Sequence, residues 1–95
     1  MADENVNLLI KLKQELFFYF LDVSNERGYA TPESCVSYIN STIPQWKLEA
    51  EAFNLWRDSV YTILNKIEDD AQGEGKVPSF DYIISQLPEL VWPVV

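Results

Sequence analysis

The chain contains no histidine, one cysteine and three glycines among its 95 residues. Histidine is the commonest general base and the commonest zinc ligand, so its absence removes the usual forms of both sites. The single Cys35 has no histidine partner, which excludes a papain-like nucleophile, and it cannot form an intramolecular disulfide. The glycines are scattered and build no phosphate-binding loop. We therefore predict a protein that is not an enzyme and needs no cofactor or metal.

Basic residues are also scarce, with 7 against 15 acidic residues and a net charge of −8. Nucleic-acid binding requires clustered lysine and arginine, and so does attraction to an anionic membrane surface. Neither a nucleic acid nor a membrane is therefore expected as a partner. The acidic surplus favours solubility. The alternative is attraction to a basic partner, or mimicry of DNA, through a carboxylate surface that includes Glu68, Asp69, Asp70 and Glu74.

Long hydrophobic runs are missing as well. The longest, Leu16 to Leu21, is far too short to cross a bilayer. The acidic start, Met1 to Asn5, has the wrong sign for a signal peptide, and a lone cysteine fits a reducing compartment. We expect a soluble protein inside a cell or in a virus particle, folded as one helical domain over residues 1–95.

The first predicted helix runs from about Val6 to Val23. At 100° per residue its apolar side chains form two adjacent stripes covering roughly 220°, more than a simple surface helix needs. Such a width predicts contacts on two sides, either with the rest of the chain or partly with another protein. Phe18 lies among polar residues on the opposite face, which makes it a candidate partner contact.

Local signals delimit three further helices. Gly28 is a candidate left-handed cap for the first helix, and Thr31-Pro32 begins a short second helix that ends near Asn40. A long third helix is predicted from Pro44 to Asp70, followed by a flexible polar break from Ala71 to Lys76. Pro78-Ser79 opens a fourth helix, and Pro88 stops it.

The third helix has an apolar face at three- and four-residue steps, including Trp46, Phe53 and Trp56. Glu49 projects onto this face. It either serves the helix dipole in the first turn or forms a buried pair with an arginine. Arg57 borders the same face, where it either fixes helix packing or recognises a partner.

The chain ends in an apolar segment, Leu90 to Val95, with a tryptophan and flanking prolines. This segment either packs across the domain or docks on another molecule, so Leu90, Val91 and Trp92 are candidate partner contacts together with Phe18 and Arg57. No segment alternates at period two. The predicted fold is therefore all-α, a small bundle of about four helices with a long central third helix and an extended apolar C-terminal tail.

Several motifs occur together and in order along most of the chain, from Leu21 to Pro93. They are Arg27-Gly28-Tyr29, Ser37-Tyr38, Glu49-Ala50-x-Ala52-Phe53, Trp56-Arg57-Asp58-Ser59-Val60, Pro78-Ser79, Leu87-Pro88 and Trp92-Pro93. The combination resembles small proteins encoded among the tail genes of tailed bacteriophages and prophages. The chain departs from that pattern at Tyr61, where the family tends to have tryptophan, and at Ser79-Phe80-Asp81, which replaces a Thr-x-Glu start but keeps the capping chemistry.

The resemblance implies a tail-associated protein in the cytoplasm of an infected bacterium or in the virion tail. We expect a tail or tail-fibre assembly chaperone that binds another phage tail protein, with a homo-oligomer as a further possibility. The alternatives are a minor virion structural subunit and an acidic inhibitor of a host defence or DNA-binding protein.

Overall fold

Four α-helices and no strand make up the backbone of residues 2–94, which the computed structural model describes together with the side chains of residues 7–94. The helices are α1 (Ala2–Asn25), α2 (Pro32–Val36), α3 (Pro44–Glu74) and α4 (Phe80–Gln86), and a 3₁₀ turn (Ser37–Asn40) follows α2 directly. The predicted all-α fold with a long third helix is confirmed. The backbone after Pro88 is extended up to Val94, and Val95 lies outside the described residues.

The predicted helix starts at Thr31 and Ser79 are confirmed. The Thr31 hydroxyl accepts a hydrogen bond from the Ser34 amide at 3.0 Å, and the Ser79 hydroxyl accepts one from the Tyr82 amide at 3.2 Å. Each satisfies an amide that the first helical turn leaves without a backbone partner. At the start of α3 the cap is Ile43, which supplies no side-chain acceptor.

Two glycines end the long helices. Gly28 has φ +82°, which confirms the predicted left-handed cap, and the amides of Gly28 and Tyr29 donate to the carbonyls of Asn25 and Ser24 in a Schellman arrangement. Gly75, with φ +71°, ends α3, and there the amides of Gly75 and Lys76 both donate to the Ala71 carbonyl. The predicted break from Ala71 to Lys76 is therefore wrong for its first four residues. Buried Ala71 helps to retain the last turn against the ~1 kcal/mol helix penalty of Gly73.

The core is aromatic and lies where α1, α2 and α3 meet. Its buried members are Phe20, Tyr29, Cys35, Phe53, Trp56 and Val60. Phe20 and Phe53 each place their ring centroid 5.4 Å from that of Trp56. Trp46, predicted on the apolar face, is instead 43% exposed, because it lies in the first turn of α3 and packs only at the edge of the domain, against Tyr38.

The described part of the chain is elongated, with principal extents of 51 × 20 × 19 Å. None of its helices combines the length and the apolar character that crossing a membrane would demand. Because the domain is elongated, the short helices α2 and α4 cannot cover the two long helices along their whole length, and part of the surface of α1 and α3 stays uncovered.

Candidate functional site

An apolar groove of about 530 Å³ runs between α1 and α3, and residues of α2 and α4 also contribute to its lining. Its apolar wall includes Leu9, Leu12, Leu16, Leu64, Ile67 and Ile83. Because α4 has only seven residues, it covers a short part of the space between the two long helices. The volume lies in the range of binding pockets, roughly 300–1,000 Å³, and the lining is dominated by aliphatic and aromatic groups as in such sites.

Four charged side chains lie around the groove, and their charges balance. Lys13 and Arg57 are basic, and Glu33 and Glu68 are acidic. Arg57, a predicted partner contact, is half-buried in this wall, and its guanidinium donates to Asn54 Oδ1 at 2.8 Å. The groove is thus neutral within a chain of net charge −8, so an apolar or neutral segment can enter it without repulsion.

The apolar surface continues from the groove onto α1. Phe17 lines the groove and is 51% exposed, while Phe18, also a predicted partner contact, is 60% exposed. The two rings meet edge to face with centroids 5.6 Å apart. The wide apolar arc predicted for the first helix is therefore only partly used by the domain itself, and the rest faces outward beside the groove.

The C-terminal tail, by contrast, packs on its own domain. The Trp92 ring stacks on Phe53 with centroids 6.2 Å apart, and Leu90 is half-buried against the same core. Val91 and Val94 point away and are 82% and 89% exposed. Of the three tail residues predicted as partner contacts, Leu90 and Trp92 are thus largely engaged within the chain, and only Val91 is free to meet a partner.

Polar groups fasten the tail at three points. The Trp92 indole donates to Glu26 Oε2 at 3.0 Å, and the Arg27 guanidinium lies 5.8 Å from the centre of the Trp92 ring. Gln45 Nε2 donates to the Pro93 carbonyl at 3.1 Å. The indole of Trp56 donates to the Pro88 carbonyl at 2.7 Å. These bonds satisfy polar atoms beside a buried aromatic core.

Glu49 connects the tail to the loop after α1. It is 5% exposed and accepts hydrogen bonds from the Tyr29 hydroxyl at 2.7 Å and from Gln45 Nε2 at 2.9 Å. Arg27 Nε lies 3.8 Å from Glu49 Oε2, so the predicted pairing with an arginine is present, with a buried carboxylate and an arginine side chain that is 41% exposed. With both oxygens engaged, the carboxylate is stabilised inside the domain.

The motifs that carry the sequence resemblance therefore meet in space. Arg27 and Tyr29 contact Glu49, and Trp56 contacts Pro88, although 32 residues separate that last pair. We call the set that holds the tail the tail-binding cluster. It consists of Glu26, Arg27, Gln45, Glu49, Phe53 and Trp56. Packing within the chain accounts for the spacing of these motifs. The groove and α1 therefore remain as the candidate partner surfaces.

The acidic segment at the end of α3 offers no single carboxylate surface. Successive helical residues point 100° apart, so Glu68, Asp69 and Asp70 diverge around the helix, and Glu68 turns toward the groove. Among the side chains of residues 7–94, no three histidine, cysteine or acidic residues come together in a group that could hold a metal ion.

The Tyr29 hydroxyl and the Cys35 thiol, which are both buried near Glu49, make the free energy of unfolding depend on pH. Burial, the hydrogen bond to Glu49 and its charge raise the pKa of the Tyr29 hydroxyl above its ordinary 10.0. Burial, with the nearby Glu49 charge, raises the pKa of the Cys35 thiol from 9.0 to about 11. Both groups therefore keep their protons in the folded protein at pH values where the unfolded chain releases them.

We expect the free energy of unfolding to be insensitive to these groups below about pH 8 and to fall above about pH 9, by about 2 kcal/mol at pH 11 from Cys35 alone. Urea unfolding of the wild-type protein at pH 8 and pH 11 measures the fall. The same comparison in Cys35→Ala and Tyr29→Phe should give a smaller fall, because each variant removes one of the groups. An equal fall in all three proteins would contradict the assignment.

Comparison of the chain with protein-family models, with curated proteins and with solved structures finds no match.

Proposed function

We propose that this protein is a non-enzymatic, tail-associated bacteriophage protein that acts as an assembly chaperone and binds an apolar segment of another tail or tail-fibre protein. The observation that carries the proposal is the groove between α1 and α3, which is apolar, charge-balanced and continuous with the exposed Phe17 and Phe18. The sequence resemblance supplies the biological setting.

A surface of this kind suits a helper protein. An aggregation-prone segment of a partner hides its apolar side chains in the groove, while the surplus of acidic groups elsewhere keeps the complex soluble. The groove is present without the partner, and the partner segment leaves it when its own assembly buries the same side chains. No residue of the tail-binding cluster lines the groove, so the cluster takes no part in this exchange.

The test is co-expression with the tail and tail-fibre proteins encoded beside its gene. We expect at least one of them to become more soluble and to co-purify. Asn65 is exposed on the groove wall, so Asn65→Trp should fill the groove without removing a core contact and weaken binding by at least about tenfold, which corresponds to 1.4 kcal/mol.

Asn25→Trp is the matched control, since Asn25 is exposed at the end of α1 and does not line the groove. It should bind like the wild type. The proposal fails if no neighbouring tail protein gains solubility or co-purifies, or if the two tryptophan variants bind equally. Mass spectrometry of purified particles separates a chaperone, which should be absent from the virion, from a structural subunit, which should be present.

A further inference from the structure

The two main walls of the groove are helices whose backbone groups are already paired. All residues of the lining belong to the four helices except Pro78, which lies in the loop before α4. Amides and carbonyls in the middle of α1 and α3 bond within the helix, so these walls present side chains and no free backbone edge. The residues that the structure describes also contain no strand with which a segment of another protein could pair.

An extended segment in this groove would leave its own backbone unpaired. Each of its residues brings one amide and one carbonyl, and burying either without a partner costs about 1–3 kcal/mol. The aliphatic side chains of Leu9 and Leu12 on α1, and of Leu64 and Ile67 on α3, have no polar atom to offer them. A helical segment bonds these groups internally and presents only its side chains to the walls.

The groove also continues the interface that holds the domain's own helices together. Leu16 and Phe20 of α1 and Ala71 of α3 are buried, and the same three residues line the groove. Ile83 of α4 lines it too and is 3% exposed, so a short helix of this chain already places an aliphatic side chain there. A further helix in the uncovered part would extend this packing in the manner of a helical bundle.

The length of the lining sets the length of that helix. The lining runs from Leu9 to Phe20 on α1 and from Arg57 to Ala71 on α3. At a rise of 1.5 Å per residue these stretches measure about 16 Å and about 21 Å. A helix of about three to four turns therefore covers the groove.

The charges around the groove favour a helix that carries both signs. Arg57 and Glu68 are half-buried and eleven residues apart, which places them about 20° apart around α3 and three turns apart along it. No side chain of residues 7–94 forms an ion pair with either of them. Lys13 and Glu33 add one further charge of each sign. A uniformly charged segment would meet like charges here, whereas a segment of mixed charge can match both signs.

From the paired backbone of the walls, the continuity with the core and the length of the lining, we infer that the segment bound in the groove is an amphipathic α-helix. It has three to four turns, mixed charge and apolar residues at three- and four-residue steps. The inference rests on the proposed function, because it specifies the segment that the chaperone receives. It distinguishes the docking of a helix in a groove from the addition of an extended strand.

Two peptides of identical composition test the conformation. Both contain about fifteen residues of leucine, alanine, glutamate and lysine, with the leucines at three- and four-residue steps in one and at alternate residues in the other. We expect the first to bind the wild type at least about tenfold more tightly and to gain helical circular dichroism on binding. Asn65→Trp should weaken its binding at least about tenfold, and Asn25→Trp should bind it like the wild type.

Three results would overturn the inference. The alternating peptide binds as tightly as the helical one, the helical peptide does not bind the wild type at concentrations up to about 1 mM, or the two tryptophan variants bind the helical peptide equally.

A tail protein that co-purifies allows the same test on the natural segment. Proline at a solvent-facing position in the middle of that segment interrupts a helix, so it should weaken binding at least about tenfold, whereas alanine there should not. Equal binding of the two forms overturns the helical inference and leaves the chaperone function standing. If no tail protein co-purifies, the proposed function fails, and the peptide comparison still decides which conformation the groove accepts.

Discussion

Replacing Trp56 with alanine is expected to lower the free energy of unfolding by about 3–5 kcal/mol, as for other large-to-small changes of buried aromatic residues. The side chain is 5% exposed, and its ring contacts Tyr19, Phe20 and Phe53. Alanine leaves a cavity among these rings and also removes the donor to the Pro88 carbonyl. Urea unfolding measures the loss.

Trp46→Ala is the matched control. The same atoms are deleted from the same helix, but Trp46 is 43% exposed, and the loss should stay below about 1 kcal/mol. A loss below about 1 kcal/mol for Trp56→Ala, or equal losses for the two variants, would show that Trp56 is not a core residue. Trp56→Phe should fall between, because it keeps most of the packing and loses the hydrogen bond.

Trp92→Ala is expected to cost about 2–4 kcal/mol, with a larger loss when the chain is ended after Glu89. Trp92 covers Phe53, which is fully buried, and links the tail to Glu26 and Arg27. Without the indole the Phe53 ring meets water, and the extended tail loses its principal anchor.

Val91→Ala and Val94→Ala test the same segment without touching the core. Both side chains are more than four-fifths exposed, so each change should stay within about 0.5 kcal/mol of the wild type. Urea unfolding of the four proteins gives the comparison. If Trp92→Ala is as stable as Val91→Ala, the tail does not pack on the domain, and Trp92 is again a candidate contact for a partner.

The tail changes the interpretation of the motif pattern. The apolar C-terminus with tryptophan and proline could either pack across the domain or dock on another molecule, and in the structure Leu90 and Trp92 are engaged by their own chain. The groove and the exposed rings of Phe17 and Phe18 are apolar surfaces that remain open. A partner-binding experiment that deletes the tail would therefore measure loss of folding as well as loss of binding, whereas Asn65→Trp leaves the tail-binding cluster intact.

The sequence by itself determined the four helices and the residues at which α2, α3 and α4 begin, but it placed the start of α1 about four residues late and did not separate α2 from the 3₁₀ turn that follows it. Thr31, Ser79 and Gly28 act on amides and carbonyls within five residues, so their effect can be predicted from neighbouring residues alone. The same holds for the long third helix. Its predicted end was four residues early, because the glycine at position 73 is tolerated within the helix and only Gly75 adopts the left-handed conformation.

Only the tertiary structure decided which side chains are buried and which surfaces stay open. Trp46, Trp56 and Trp92 are equally apolar, yet they end exposed, buried and half-buried, because their environments depend on distant residues. The Trp92 indole meets a carboxylate 66 positions away, and Glu49 meets a phenol 20 positions away. Helical periodicity contains no information about such pairs, and the groove exists because α4 is too short to cover two long helices.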